Sequence, residues 1–455
     1  MVIAIIGAGY VGLTTAAVLA NAGYIVKLLD TDPKKIDIIK QGKSHFFEVG
    51  LDEFVHKAVT SKLLLPTLDY SEALTDADVV FSCVGTPDQP DGSVNLEYVF
   101  ASVRTAAPFL KSGAVYAQKS TVPVGTGRKL EELFTELRGV GTINYVSNPE
   151  FLAEASALVD SIYLDRVVVG GSNAQAVEAV VDIFRKVHQL AAEVNLSEFA
   201  EYANVYKNKT DKYDHNYDTK VIRTSLESAE LIKVTANAFL ALKISFANSI
   251  ARLCDETGAD ISQVMNGVGS DVRIGRSFLY AGLGWGGSCF PKDVAGLIRV
   301  AQDYNVELDI LTAAVAENSL MVDYVINKLK KQLGRLTGMK IAVLGITFKP
   351  GTSDTRRSQA IRFIEALAAS GAIVTAYDPK AVVEIANVHI ASTVDECIQD
   401  ADATVIATEW NEFLEYNWEK AATLMKGKLI LDARNRINKE VITRVGLDYV
   451  GIGRN

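Results

Sequence analysis

Val2-Ile3-Ala4-Ile5-Ile6-Gly7-Ala8-Gly9-Tyr10-Val11-Gly12 opens the chain, and its reading decides the fold. An apolar run of buried parallel-strand type passes directly into Gly-x-Gly-x-x-Gly. A helical stretch from Leu13 to Ala22 follows and Gly23 stops it. A second strand, Ile25 to Leu29, ends at Asp30, 18 residues past the third glycine. This is the dinucleotide-binding fingerprint in its required context of strand, helix and acid. Gly7 makes the tight turn, Gly9 lets a pyrophosphate approach the backbone, and Gly12 allows close helix–strand packing. Phosphate then sits on the helix N-terminus, favoured by free N–H groups and by the dipole. Asp30 accepts from an adenosine ribose hydroxyl and repels a 2′-phosphate, so NAD is expected rather than NADP.

Strands and helices go on alternating, which predicts an α/β doubly wound parallel sheet. Buried strands over Asp78–Val84, Ala114–Lys119 and Asn144–Ser147 lead into loops at Gly85-Thr86-Pro87, Ser120–Thr126 and Asn148–Glu154. Ligands lie beyond the carboxyl ends of such strands, so these loops are expected around the nicotinamide. Glu150 and Glu154 are four apart and share a face if a helix follows Pro149. Cys83 reads as core.

Chemistry is written most clearly in Gly286-Gly287-Ser288-Cys289-Phe290-Pro291-Lys292-Asp293. Pro291 suits the first turn of a helix, so the run reads as a Gly-rich turn opening into one. The thiol then lies beside free N–H groups, a positive dipole end and Lys292, a setting that favours the nucleophilic thiolate. Asp293 falls on the same helical face. A lone cysteine is otherwise a small buried apolar residue; the glycines before it, the Pro-Lys after it and the cofactor fingerprint argue for the reactive thiol.

From about Ser225 to Thr257 the chain reads as one helix without Gly or Pro, stopped by Gly258. At about 1.5 Å per residue it would run about 45 Å, enough to link two domains and offer a dimer face. Lys233 and Asn237 share one side of it among Ala, Leu and Phe. That lysine either snorkels to solvent or serves as a fixed charge. A second βαβ domain starts at Met339–Gly345, with strands at Ile373–Tyr377, Ala403–Ala407 and Lys428–Leu431. It lacks a second Gly-x-Gly-x-x-Gly. Lys349 and Arg356 stand where a glycine loop would meet phosphate, as anion ligands or as a solvated basic loop. Residues 200–224 are polar, rich in Tyr, Lys and Asp, and read as an exposed loop.

At 455 residues, two or three domains are expected. The organisation read here is 1–199 for the cofactor, 200–224 as an insertion, 225–330 as a helical dimerisation and active-site region, and 338–455 as a second Rossmann-like domain. The net charge of −9 argues against a nucleic-acid partner. No apolar run reaches membrane-span length in this reading, and Met1 leads into a strand rather than a signal peptide. The four cysteines form no CxxC pair and the five histidines show no ligand spacing, so no metal site is expected, and the chain reads as a reduced, cytoplasmic protein.

Together these motifs resemble the UDP-glucose 6-dehydrogenase family, within the wider nucleotide-sugar dehydrogenases. The resemblance runs through Gly7–Leu13, Val84–Pro87, Ser120–Thr126, Asn148–Glu154 and Ser228–Ala241. It continues through Asp271–Gly275, Phe278–Gly282, Gly286–Asp293, Phe348–Pro350 and Asp354–Arg356. Two departures stand out: the insertion at 200–224, and Ala155-Ser156 where the family more often has Gly-Ser or Gly-Thr. The resemblance implies two Rossmann-like domains joined by a long central helix, and four-electron oxidation of UDP-glucose with two NAD. It implies Cys289 as nucleophile, Lys233 and Asn237 as stabilisers of oxyanion and alkoxide, and Asp293, Glu150 and Thr121 handling water and protons. NAD would meet Gly7, Gly9, Tyr10, Val11, Gly12, Asp30, Lys35, Gly85, Thr86, Pro87, Thr121, Glu154, Lys292 and Arg356. The nucleotide sugar would meet Glu150, Phe151, Leu152, Lys233, Asn237, Phe278, Leu279, Tyr280, Ala281, Gly282, Gly286 and Lys349, with Arg273 arriving from a partner subunit in a homodimer or higher oligomer. Three alternatives remain. One is the same chemistry on GDP-mannose or a UDP-N-acetylhexosamine, another a two-electron hydroxy-acid dehydrogenase, and the last a silent nucleotide-sugar sensor.

Overall fold

The structure is a computed structural model that describes residues 1–194, 209 and 213–454. Contacts divide the chain into two compact units, Met1–Thr235 and Ala236–Asn455.

The first unit is built on eight strands: β1 (Val2–Ile6), β2 (Ile25–Leu29), β3 (Leu64–Thr67), β4 (Val79–Ser82), β5 (Val115–Gln118), β6 (Asn144–Ser147), β7 (Val167–Gly171) and β8 (Val221–Thr224). Their order is β3-β2-β1-β4-β5-β6-β7-β8. Every neighbouring pair is parallel except β6 with β7. The first six strands follow the Rossmann order. Ile3, Ala4, Ile5, Val80, Phe81 and Ala117 are fully buried, as strands covered by helices on both faces must be. Register decides where the site lies. Ile6 pairs with Leu29 and Ser82, Ser82 with Gln118, and Gln118 with Ser147. Asp30, Gly7, Cys83, Lys119 and Asn148 therefore begin their loops along a single rim.

The second unit carries a six-stranded sheet, entirely parallel, from β9 (Lys340–Leu344), β10 (Ile373–Tyr377), β11 (Val388–Ile390), β12 (Ala403–Ile406), β13 (Leu429–Asp432) and β14 (Asp448–Gly451). The order is β11-β10-β9-β12-β13-β14. Both sheets are thus Rossmann-like, as expected. Helices Phe290–Asp303 and Asp309–Leu333 belong to the same unit.

Three expectations need amending. Residues 221–224, read as part of an exposed loop, form β8 beside β7, and Tyr217 just before it is buried. At four residues, Val-Ile-Arg-Thr, this edge strand is too short to show the alternation that would reveal it. Residues 200–208 and 210–212 of that segment lie outside the described residues. No helix follows Pro149; the chain stays irregular until Ala157–Ile162, so Glu150 and Glu154 are not helical neighbours. Finally, the long helix spans Leu226–Thr257, 32 residues, as expected, with the division between units inside it, but the reading that no apolar run reaches membrane-span length does not hold for it. By length and hydropathy alone it could cross a bilayer, although 44% of its most apolar window is buried in the protein. Glu230, Lys233 and Asn237 are among its buried residues.

Candidate active site

The glycine loop of the first unit has the geometry its sequence requires. Gly7 has φ +97°, and a Cβ there would sit 2.8 Å from the Cys83 carbonyl oxygen; at Gly12 it would lie 1.8 Å from the Gly7 oxygen. At Gly9 a Cβ would meet nothing within 4 Å, so open space lies at the N-terminus of the helix Tyr10–Asn21. That is room for a phosphate beside unsatisfied N–H groups. Asp30 takes the Ala8 N–H at 2.7 Å and the Asp32 N–H at 2.9 Å, and Lys35 Nζ lies 3.5 Å from it. Its carboxylate is thereby aimed at the loop. Gly85 is equally open, and Ser120 Oγ donates to the Val84 carbonyl at 2.6 Å, tying the Thr121 loop to the one at 85–87. These residues fit a bound NAD.

Glu150 is held more tightly than its sequence suggested. Lys119, buried at the end of β5, reaches it at 2.7 Å, and Glu150 Oε1 accepts from its own Phe151 and Leu152 N–H groups at 2.7 and 2.9 Å. Burial pushes the carboxyl up, yet the Lys119 charge and these N–H bonds outweigh it and hold Glu150 below the usual carboxylate range. Thr121 is half-buried in the next turn. Phe151 lies under two cations, Arg166 at 3.8 Å and Lys233 at 5.3 Å from its ring centre. A cavity of about 30 Å³ opens among Lys119, Asn148, Glu150, Phe151, Ser161 and Arg166, room for a water molecule.

Glu154 stands in a turn whose next residue is fixed by Glu48. The buried Glu48 carboxylate accepts from Tyr10 Oη, from the Ala155 N–H at 3.0 Å and from the Leu158 N–H at 3.4 Å. Tyr10 stacks on Phe46 with ring centres 4.5 Å apart. The phosphate loop and the Glu150–Glu154 loop thus share one anchor. Ala155 has φ +67°, a left-handed conformation that costs a non-glycine residue about 1 kcal/mol. The departure from glycine at this position therefore carries strain.

In the second unit the Gly-Gly-Ser-Cys turn opens the helix Phe290–Asp303, with Cys289 as its N-cap and Pro291 in the first turn, as expected. Cys289 is exposed, whereas Cys83, Cys254 and Cys397 are buried; burial pushes the Cys83 thiol up to about 12. One turn on, the Asp293 N–H bonds the Cys289 carbonyl at 2.9 Å. Both Asp293 oxygens are engaged: Asn237 Nδ2 donates at 2.6 Å and Lys292 Nζ at 2.7 Å. Lys292, expected on the cofactor, is thus tied to Asp293. The turn is braced by packing, since a Cβ on Gly286 would lie 2.2 Å from the Arg357 oxygen and one on Gly287 2.7 Å from the Phe348 ring. Lys233 and Asn237 stand one turn apart on the long helix, both buried.

Phe278–Gly282 is an irregular segment that starts in a turn, with Phe278 at φ +66°. Leu279 and Ala281 are buried and Tyr280 is exposed. The Gly282 N–H donates to Asn248 Oδ1 at 2.8 Å, and a Cβ there would lie 2.7 Å from the Ala433 oxygen. Lys349 lies in the turn after β9, beside Phe348. Arg356 pairs with Asp354 at 2.7 Å, and Arg273, 84% exposed, pairs with Asp271 at 2.6 Å. Sequence reasoning passed over Lys119, Glu48, Asn248 and Glu230. Lys119 and Glu230 had a signal, since each stands within one turn or loop of a residue already singled out.

Residues 1–188 match the NAD binding domain of the UDP-glucose/GDP-mannose dehydrogenase family, residues 227–319 its central domain and residues 342–439 its UDP binding domain. The chain belongs to this family. It is an oxidoreductase that uses NAD, with two Rossmann-like domains and a long central helix. It is 39% identical to the UDP-glucose 6-dehydrogenase of Rhizobium meliloti (strain 1021), over 100% of both chains. To the UDP-glucose 6-dehydrogenase TuaD of Bacillus subtilis (strain 168) it is 37% identical, over 99% of this chain and 93% of that one. Among solved structures, a UDP-glucose dehydrogenase from Pyrobaculum islandicum superposes with a TM-score of 0.85 at 31% identity, covering 100% of this dehydrogenase and 98% of the other. A UDP-D-ManNAc dehydrogenase from Pyrococcus horikoshii superposes with a TM-score of 0.84 at 26% identity, covering 100% and 99%.

Proposed function

We propose that this dehydrogenase converts UDP-glucose to UDP-glucuronate through a sugar bound covalently to Cys289. Fold likeness does not separate the candidate sugars, but relatives at 35–39% identity are named as UDP-glucose 6-dehydrogenases, one of them as a putative one, which favours glucose over an N-acetylhexosamine or mannose. The observation that carries the covalent route is an exposed thiol at a helix N-cap, one turn from a buried carboxylate that Asn237 and Lys292 hold in place.

Oxidising a primary alcohol to an acid removes four electrons, so two NAD each accept a hydride. The C6 hydroxyl first loses its proton as hydride leaves C6. The Cys289 thiolate adds to the resulting aldehyde, forming a C–S bond, and the thiohemiacetal loses the second hydride to become a thioester. Water breaks the C–S bond, releasing carboxylate and thiol. Lys233 and Asn237 stabilise the oxygen anions of these states. Asp293, Thr121 and Glu150 handle water and protons. Pinned as an anion by Lys119, Glu150 acts chiefly by orienting.

For NAD, Gly7, Gly9, Tyr10, Val11, Gly12, Asp30, Lys35, Gly85, Thr86, Pro87 and Glu154 supply the seat. Phe278–Gly282, Gly286 and Lys349 hold the nucleotide sugar, and Arg273, so exposed here, is presented to a neighbouring protomer. The assembly is at least a homodimer. Phe239, Phe246 and Leu253, seven residues apart, are 59%, 49% and 58% exposed, an apolar stripe that a second copy would cover. The cytoplasm, where thiols stay reduced, suits an enzyme with four unpaired cysteines.

The test is a panel of nucleotide sugars with NAD, counting reduced cofactor per carboxylate formed. Two per acid with UDP-glucose is expected, and Cys289→Ser is expected to stall after at most one. Full turnover to the acid by that variant overturns the covalent route; one NADH per product overturns the four-electron reading.

A further inference from the structure

Glu230 lies on the long helix three residues before Lys233, 2% exposed, with Leu226, Ala229 and Val234 buried on the same helix. A buried carboxylate needs partners. It finds them in the N–H groups of Gly125 at 2.8 Å and Gly127 at 2.7 Å. Those amides open the helix Thr126–Arg138, whose own N-cap, Gly125, has no side chain to cap it. Glu230 supplies that cap from about a hundred residues away in sequence. The loop it seizes is the one that bears Thr121.

Packing at the same place leaves little slack. A Cβ on Gly170 of β7 would lie 2.3 Å from the Ser225 oxygen and 2.7 Å from Ala229 Cβ. One on Gly127 would lie 3.0 Å from Glu230 Oε1 and 3.1 Å from the Tyr145 ring. Arg128 and Glu227 add an ion pair at the rim, 2.6 Å. The start of the long helix is therefore seated directly on the first sheet, and Lys233 follows within one turn.

We infer that Glu230 is a positioning residue for the oxidation: by capping Gly125 and Gly127 it holds the Thr121 loop in register with the helical turn that presents Lys233. The inference rests on the catalytic roles proposed for those two residues. A shift of about 1 Å between such groups is enough to cost on the order of 10²-fold in rate.

Titration gives a readout that mere scaffolding would not move. Burial raises the Glu230 carboxyl to about 7 against the two N–H bonds, with Glu227 pushing it up and Arg128 down; the Tyr145 phenol faces the same pocket. Once protonated, one oxygen becomes a donor opposed to an N–H, and the cap weakens. Turnover should therefore decline as pH falls through about 7.

The experiment uses full-length protein, with Glu230→Ala and the isosteric Glu230→Gln compared with the wild type. Expected are a kcat at least about tenfold lower in Glu230→Ala and a KM for NAD within about threefold of wild type. Amide exchange at Gly125 and Gly127 should be faster in both variants, and Glu230→Gln should lack the pH limb near 7. A folded Glu230→Gln with kcat within about threefold of wild type and the same pH limb overturns the inference, as does unchanged amide exchange in both variants. A wild type that leaves UDP-glucose untouched overturns the substrate assignment instead. The same comparison is then made with the nucleotide sugar it does oxidise, and its result decides the role of Glu230.

Discussion

Lys119 shows how one residue sets the behaviour of another. Its ammonium is buried, 2.7 Å from Glu150 and 4.9 Å from the centre of the Phe184 ring. Because the folded Glu150 carboxyl lies below its ordinary value, the pair adds stability above the unfolded pKa of about 4.3, and that stability is lost as pH falls through the folded value. Lys119→Met removes the counter-charge while keeping much of the volume. Burial, the largest influence on Glu150, is then unopposed by that charge, the carboxyl rises, and the sign reverses. Urea unfolding should show the wild type gaining stability at this site as pH rises to about 5 and holding it from there to neutral pH. The variant should lose it, ending about 3–5 kcal/mol less stable at neutral pH. Equal pH slopes in the two proteins would show that Lys119 is not what holds the carboxylate charged.

The strand–loop–helix element at the start of the chain depends on backbone approach. A Cβ at Gly12 would stand 1.8 Å from the Gly7 oxygen, with Gly7 carbonyl carbon at 2.9 Å, and both are main-chain atoms that no rotamer change can move. Gly12→Ala must therefore push the helix Tyr10–Asn21 off β1 and spoil the phosphate seat. An NAD affinity at least about tenfold weaker, measured by fluorescence titration, is the expected result. Gly9 provides the contrast, because its Cβ position is open. A side chain there collides with bound phosphate rather than with protein, so Gly9→Ala should fold normally.

At the scale of the whole molecule the apolar stripe Phe239–Phe246–Leu253 is the clearest unfinished surface among the described residues. Fully covering a large apolar side chain contributes about 1.5–3 kcal/mol, so three of them mark a face that favours a second copy. Phe246→Asp places a charge in the middle of the stripe. For the homodimer proposed above, sedimentation should then show a shift toward monomer relative to the wild type at the same concentration. An unchanged assembly would move the interface elsewhere.

Local signals carried most of the architecture. Apolar runs ending in glycine marked β1 and β9, and the absence of Gly and Pro over 225–257 marked the long helix, because strand and helix periodicities are properties of short windows. The thiol at a helix mouth was legible for the same reason: Gly-Gly before it and Pro after it specify a turn and a first helical turn. β8 was not legible, since a four-residue edge strand owes its state to its neighbour β7. Nor were Lys119 on Glu150, Glu48 on Ala155 or Glu230 on Gly125 and Gly127, partners separated by 31, 107 and 105 residues or so in the chain. Burial makes such polar groups find partners but does not say which ones. The amino-acid order determined the glycine turn, the helices and the setting of Cys289 at a helix mouth. Only folding, by bringing distant loops to one rim, decided which charges meet.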